Sequence, residues 1–145
     1  PPHASEGPSP PLAMFRPRLV LPQGQRRNPE RDHVVMCAVA GTHDTASVVA
    51  HHSQRPVRAG VSHRRRFVNI AAADLVTVEA LQQERVIDWR VVAQDGADLR
   101  PPSAPPPRFA LGPRETMDAA GTPARGPLTP PAQSFHNFHL LLQGK

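Results

Sequence analysis

The sequence predicts a small α/β core, running strand, helix, loop, helix, strand, between disordered proline-rich tails. Three observations predict it: prolines crowd both ends, a continuous apolar run opens the middle, and a helical apolar spacing follows later in the chain.

Of the 19 prolines, eight lie in residues 1–29, ten in 101–131, and Pro56 alone between them. Proline lacks a backbone donor and fixes φ, so segments this rich in it are poor helix interiors and poor central strands. Residues 1–29 are therefore expected as a disordered proline-rich segment, 30–100 as the core, 101–134 as a proline-rich linker and 135–145 as an apolar C-terminal segment. A core of about 70 residues is worth only ~3–5 kcal/mol, so a partner surface or a larger whole is expected to support it.

Within the core, Val34-Val35-Met36-Cys37-Ala38-Val39-Ala40 is bounded by charge before and Gly41 after. That is the pattern of a strand buried on both faces. Asp44 is placed to cap a helix over 45–52, although Val48 and Val49 suit a strand equally well. Residues 54–66 carry Pro56, Gly60 and five arginines and read as an exposed loop. Over 71–85, Ala71, Leu75, Val78 and Leu81 fall near one helical face, with Glu79, Gln83 and Glu84 elsewhere. Residues 86–93 return to β-branched side chains, and Asp95-Gly96 signals a turn.

Composition narrows the function classes. The net charge is +5, and the basic residues are arginine except for Lys145. Arginine excess suits nucleic acid, but much Arg, Ala, Pro and Gly with no Tyr is also what GC-rich codons impose on any frame. Cys37 is the single cysteine, so no intrachain disulfide can form. No apolar run of about 18 residues is present to span a membrane, and no secretory signal opens the chain, so a cytoplasmic location is expected. A start at Pro1 rather than methionine leaves room for an upstream portion.

The segment Val39-Ala40-Gly41-Thr42-His43-Asp44-Thr45-Ala46-Ser47-Val48-Val49-Ala50 resembles the His-Asp-Thr-Ala-Ser segment of rhamnulokinases, members of the FGGY carbohydrate kinases. The resemblance implies Asp44 as the base facing the sugar hydroxyl that accepts the phosphoryl group, with His43 and Thr45 beside the sugar. Phosphoryl transfer asks mainly for positioning and charge stabilisation, and a carboxylate held at a strand-to-helix turn would suit it. Weaker echoes follow in the family's order at Asn69-Ile70, at 81–85, at Pro107-Arg108-Phe109 and at 113–117. The family's Ser-Gly-Thr-Trp and Asp-x-Gly-Thr phosphate motifs are absent, so this chain has no cradle for a phosphoryl donor. The resemblance thus implies a truncated or degenerate kinase fragment, inactive as it stands. ATP and Mg are implied by the family alone, no cofactor is expected in this fragment, and a sugar would bind only with the missing lobes.

Other readings stand beside it. A small basic RNA- or protein-binding module would use Arg55, Arg58, Arg64, Arg65 and Arg66 against phosphates, with Phe67 the lone aromatic nearby. An unselected GC-rich frame would have no function. His33, Cys37, His43, His51 and His52 lack zinc-binding spacing, and Cys37 on a buried strand is a poor nucleophile, so no metal is expected. The proline clusters at 101–107 and 127–131 are candidate polyproline ligands or plain linkers. The apolar stretch over 135–142 would dock on a partner or fold back on the core as a last helix.

Overall fold

The computed structural model describes residues 15–40, 47–52, 58–82, 85–86, 89–100, 108–123 and 138–142. Among them there are strands and no helix: β1 (Asp32–Ala40), β2 (Ser47–His52), β3 (His63–Asn69), β4 (Val76–Gln82), β5 (Arg85–Val86), β6 (Trp89–Gln94), β7 (Ala97–Asp98), β8 (Arg108–Leu111), β9 (Thr116–Gly121) and β10 (Phe138–Leu142). The expected α/β core is therefore corrected to an all-β one.

Two sheets form. The larger has the order β2-β1-β3-β9-β6-β7, with β1 and β3 parallel and its other pairs antiparallel. In the smaller, β4 pairs antiparallel with β8, β10 and β5. Their facing sides share one core: Val35 and Cys37 from β1, Phe67 from β3, Val76 and Val78 from β4, Trp89 and Val91 from β6, Phe109 and Leu111 from β8, and Met117 and Ala119 from β9. Two sheets burying alternate residues against each other are a β-sandwich. At its centre Phe67 meets Trp89 edge-on, with centroids 5.4 Å apart at 84°, and Phe109 at 5.5 Å and 70°. Edge-to-face packing sets the positive rim of one ring against the negative face of the next.

The departure from the helical expectation over 71–85 starts at Asn69. A helix beginning at Ala71 is pre-empted by Asn69, which is fully buried. Its Oδ1 accepts from the Ala71 amide at 2.9 Å, and its Nδ2 donates to the carbonyls of Asp74 at 2.8 Å and Leu111 at 3.0 Å. An Asx side chain bonding its own backbone two residues on makes a turn, not a helical first turn. Beyond it, Val76-Thr77-Val78 is β-branched, and Val76 and Val78 alternate into the core. Leu75, Val78 and Leu81 satisfy a helical spacing too, but Val76 belongs to no such face, and period two prevails.

Of the helix and the strand that 45–52 left open, residues 47–52 form strand β2, paired antiparallel to β1 from Val35↔His52 to Ala40↔Ser47. The expected loop over 54–66 already contains the start of β3, so Arg64, Arg65 and Arg66 are strand residues.

Strands also lie where a linker was expected, since β8 and β9 fall within 101–134, and β9 sits inside the larger sheet between β3 and β6. The prolines there punctuate rather than exclude structure: 108–112 and 114–122 contain none, and these stretches carry the strands. Strand β10 pairs its backbone with β4, so the apolar stretch near the C-terminus adds a strand in place of the alternative final helix.

Two turns fix register. Asp95 and Gly96 have φ of 47° and 82° between β6 and β7, the pair of positive values that a two-residue type I′ hairpin requires. Between β8 and β9, the Glu115 amide closes on the Gly112 carbonyl at 3.1 Å, with Pro113 and Arg114 as the central residues. Arg114 has φ 68°, a left-handed conformation that costs a residue with a Cβ roughly 1 kcal/mol. Arg114→Gly is therefore expected to leave stability unchanged or raise it by up to about 1 kcal/mol in urea melts, whereas Arg114→Val should lower it.

Candidate functional site

Parallel pairing of β1 with β3 brings their first residues to the same end of the sandwich, where the chemically active side chains gather. Strand alternation divides the arginine run. His63, Arg65, Phe67 and Asn69 share one side of β3, and Arg64, Arg66 and Val68 share the other.

On the outer side, Arg66 is held between two carboxylates. Its Nε and Nη2 donate to the two oxygens of Asp32, each at 2.8 Å, and its Nη1 donates to Asp118 Oδ2 at 2.7 Å. Arg64 Nε donates to the same Asp118 oxygen at 2.9 Å, with Nη2 at 2.6 Å, and Asp98 stands 3.8 Å from Arg64 Nη2. The side chains of Arg66, Asp32 and Asp118 are only 16%, 13% and 12% exposed. The Asp32 hydrogen bonds push the Arg66 pKa above its ordinary value against the opposing cost of burial, with Asp118 adding to the rise. Fork-to-carboxylate pairing of this kind is both charge-assisted and directional. The result is a ladder across β1, β3 and β9 whose four central charges cancel.

On the inner side, two buried histidines meet. His33 Nε2 lies 3.3 Å from His63 Nδ1, and His63 Nε2 lies 3.0 Å from the Arg58 carbonyl oxygen. A carbonyl can only accept, so Nε2 of His63 is the donor to Arg58, and the two rings face each other through His33 Nε2 and His63 Nδ1. The relay links β1, β3 and the loop before β3. Burial, then the Arg65 charge and His63, lower the His33 pKa to about 4, while Asp32 and the Glu30 carbonyl pull the other way. Burial also lowers the His63 pKa, partly offset by the Arg58 carbonyl. Arg65 itself is lowered by burial to about 10 and remains a cation at neutral pH.

This pair sets an acid limit. A histidine whose folded pKa lies below its unfolded value binds fewer protons in the folded state, so stability is full above about pH 6.5 and declines as pH falls towards 4. At pH 5 the His33 contribution is a loss of about 2 kcal/mol. Urea midpoints at pH 7.5 and 5 should show that difference, and His33→Gln should flatten it.

Asp44, His43, Thr45 and Arg55 lie outside the described residues. Of the other arginines assigned to phosphate contact, Arg64 and Arg66 are engaged by carboxylates, Arg65 lies on the inner side of β3, and Arg58 is exposed. Sequence reasoning missed Asp32, Asp118 and His63. The available signal was the alternation from His63 to Asn69, which marks a strand with unlike faces. Cys37 is fully buried, and burial pushes its thiol up to about 12, which suits a core residue and not a nucleophile. Among the described residues, no three His, Cys, Asp or Glu side chains are grouped to hold a metal. No helix among them is long and apolar enough to cross a membrane.

Fold and site together define a two-sheet β-sandwich whose most prominent charges are spent on its own strands. No family model matches the chain, and no curated protein matches it in sequence. In fold it is similar to the crystal structure of Lac15 from a marine microbial metagenome, with a TM-score of 0.52 at 20% identity over 70% of this chain. The match spans 29% of the Lac15 chain.

Proposed function

We propose that this chain is a structural β-sandwich module of a larger protein, whose role is to hold and present surfaces rather than to transfer phosphoryl groups or read phosphate backbones. The observation that carries this reading is the ladder at Asp32, Arg64, Arg66 and Asp118: two arginines of the 64–66 run are matched by carboxylates inside their own sheet. Arg66 is separated from Asp32 by 34 positions and from Asp118 by 52. Charge matching over such separations supports a selected sequence over an arbitrary frame. Likeness to part of a longer chain supports the modular reading.

The sugar-kinase resemblance was suited by a strand-to-helix turn at Asp44, and the segment 47–52 is strand β2, the reading that Val48 and Val49 also allowed, so that support is missing. The RNA-binding reading loses Arg64 and Arg66 to carboxylates.

The test is a thermal melt, alone and with saturating MgATP plus a set of ketoses and aldoses. A structural module should unfold in one cooperative transition whose midpoint these ligands leave unchanged, because only binding to the folded state moves it. A saturable rise with MgATP and one sugar would return the kinase reading. A non-cooperative melt would support the unselected frame.

A further inference from the structure

The two ends of the larger sheet differ in charge. The turn before β1 carries Arg27 and Arg31, the loop before β3 carries Arg58, and β6, separated from β3 by β9, begins at the same end with Arg90; all four are exposed. Their proximity follows from pairing. Asp32, Arg64, Ala120 and Arg90 form one row across β1, β3, β9 and β6. The Arg64 amide donates to the Arg31 carbonyl at 2.7 Å, the Arg58 carbonyl meets His63, and the Gly60 amide donates to the Pro123 carbonyl at 2.8 Å. Against these cations stand Glu30, the exposed acid of the same turn, and Asp98, exposed on β7 and 3.8 Å from Arg64 Nη2, while Asp32 is engaged by Arg66. At the opposite end, Asp74 and Asp95 are exposed beside Arg114.

We infer that this arginine-bearing end is a docking surface for an acidic protein surface, an inference that rests on the modular reading and names its partner. Three features favour carboxylates on a protein over a nucleic acid. The arginines converge from three separate segments on one end of the sandwich, instead of lining a groove that would track a phosphate backbone. Among the described residues the large exposed apolar side chains are Phe15 and Val20, neither on the segments that carry these arginines, so those segments present no exposed aromatic side chain for stacked bases. Finally, the same sheet already shows an arginine fork engaging a carboxylate bidentately, as Arg66 does with Asp32.

The experiment uses the full chain and fluorescence anisotropy with a labelled polyglutamate peptide of about 20 residues at about 50 mM salt, where such contacts are strong. The wild type should bind saturably. The combined variant Arg31→Glu, Arg58→Glu, Arg90→Glu, chosen because its side chains are exposed, should bind at least about tenfold more weakly. Arg114→Glu at the other end should remain within about twofold of wild type. Circular dichroism melts of both variants confirm that they fold.

Absence of saturable polyglutamate binding, or equal losses in both variants, overturns the proposal. So does a labelled DNA duplex of similar charge that binds at least about tenfold tighter than polyglutamate with the same dependence on the three arginines, since that is a phosphate surface. Either failure leaves the ligand-independent melt unchanged and is thereby distinguished from failure of the modular reading.

Discussion

Phe67→Ala is expected to lower stability by about 3–5 kcal/mol, the usual range for truncating a core phenylalanine. Phe67 has no exposed surface and stands edge-on to both Trp89 and Phe109, so alanine removes apolar burial and two ring contacts together. The cavity would open between the sheets, bounded by β3, β6 and β8, whose backbones are fixed by pairing and cannot collapse into it. Folded domains are stable by only about 5–15 kcal/mol, and one of this size sits near the lower end, so the variant should be largely unfolded at 37 °C. Phe67→Leu keeps most of the volume and is expected to cost about half as much. Chemical denaturation of the three proteins at pH 7.5 checks the order. A loss below about 1 kcal/mol for alanine would mean that these sheets do not share the core described here.

The apolar run at 34–40 was legible as a buried strand because nothing in it competes with that reading, and β1 lies there. The Asp95-Gly96 turn was legible because positive φ at two successive positions selects few residue pairs. What could not be read locally was the fate of 71–82. Leu75, Val78 and Leu81 satisfy a helix and Val76 and Val78 satisfy a strand, and the arbiter was Asn69, whose carbonyl partners include one 42 positions away at Leu111. Proline density misled in a different way. It was averaged over 101–131, whereas pairing depends on each residue's own donor, and the proline-free stretches between the breakers were long enough for β8 and β9. The site failed for the reason long-range pairs usually do. Three successive arginines look like a solvated loop until Asp32 and Asp118 arrive from other strands, and nothing local announces either partner.

Those partners make Arg66 the second position of large effect. Arg66→Met keeps the length and apolar stem of the side chain but leaves Asp32, only 13% exposed, without its two-pronged partner. Asp118 retains Arg64, so the larger penalty falls on Asp32. Removing one member of a partly buried pair costs about 3–5 kcal/mol because the remaining charge is stranded, not because the pair itself was worth that much. The consequence is a specific pattern of rescue. Adding Asp32→Asn to Arg66→Met should recover at least half of the loss, since an amide without a partner costs less to bury than a carboxylate. Asp32→Asn alone should cost about 1–2 kcal/mol, giving a coupling of roughly 3 kcal/mol or more in a double-mutant cycle. Asp98→Asn, at the exposed and distant edge of the same ladder with 87% of its side chain in solvent, should be neutral. If Arg66→Met were as mild as Asp98→Asn, the ladder would be surface decoration, and its arginines would again be free to meet a ligand.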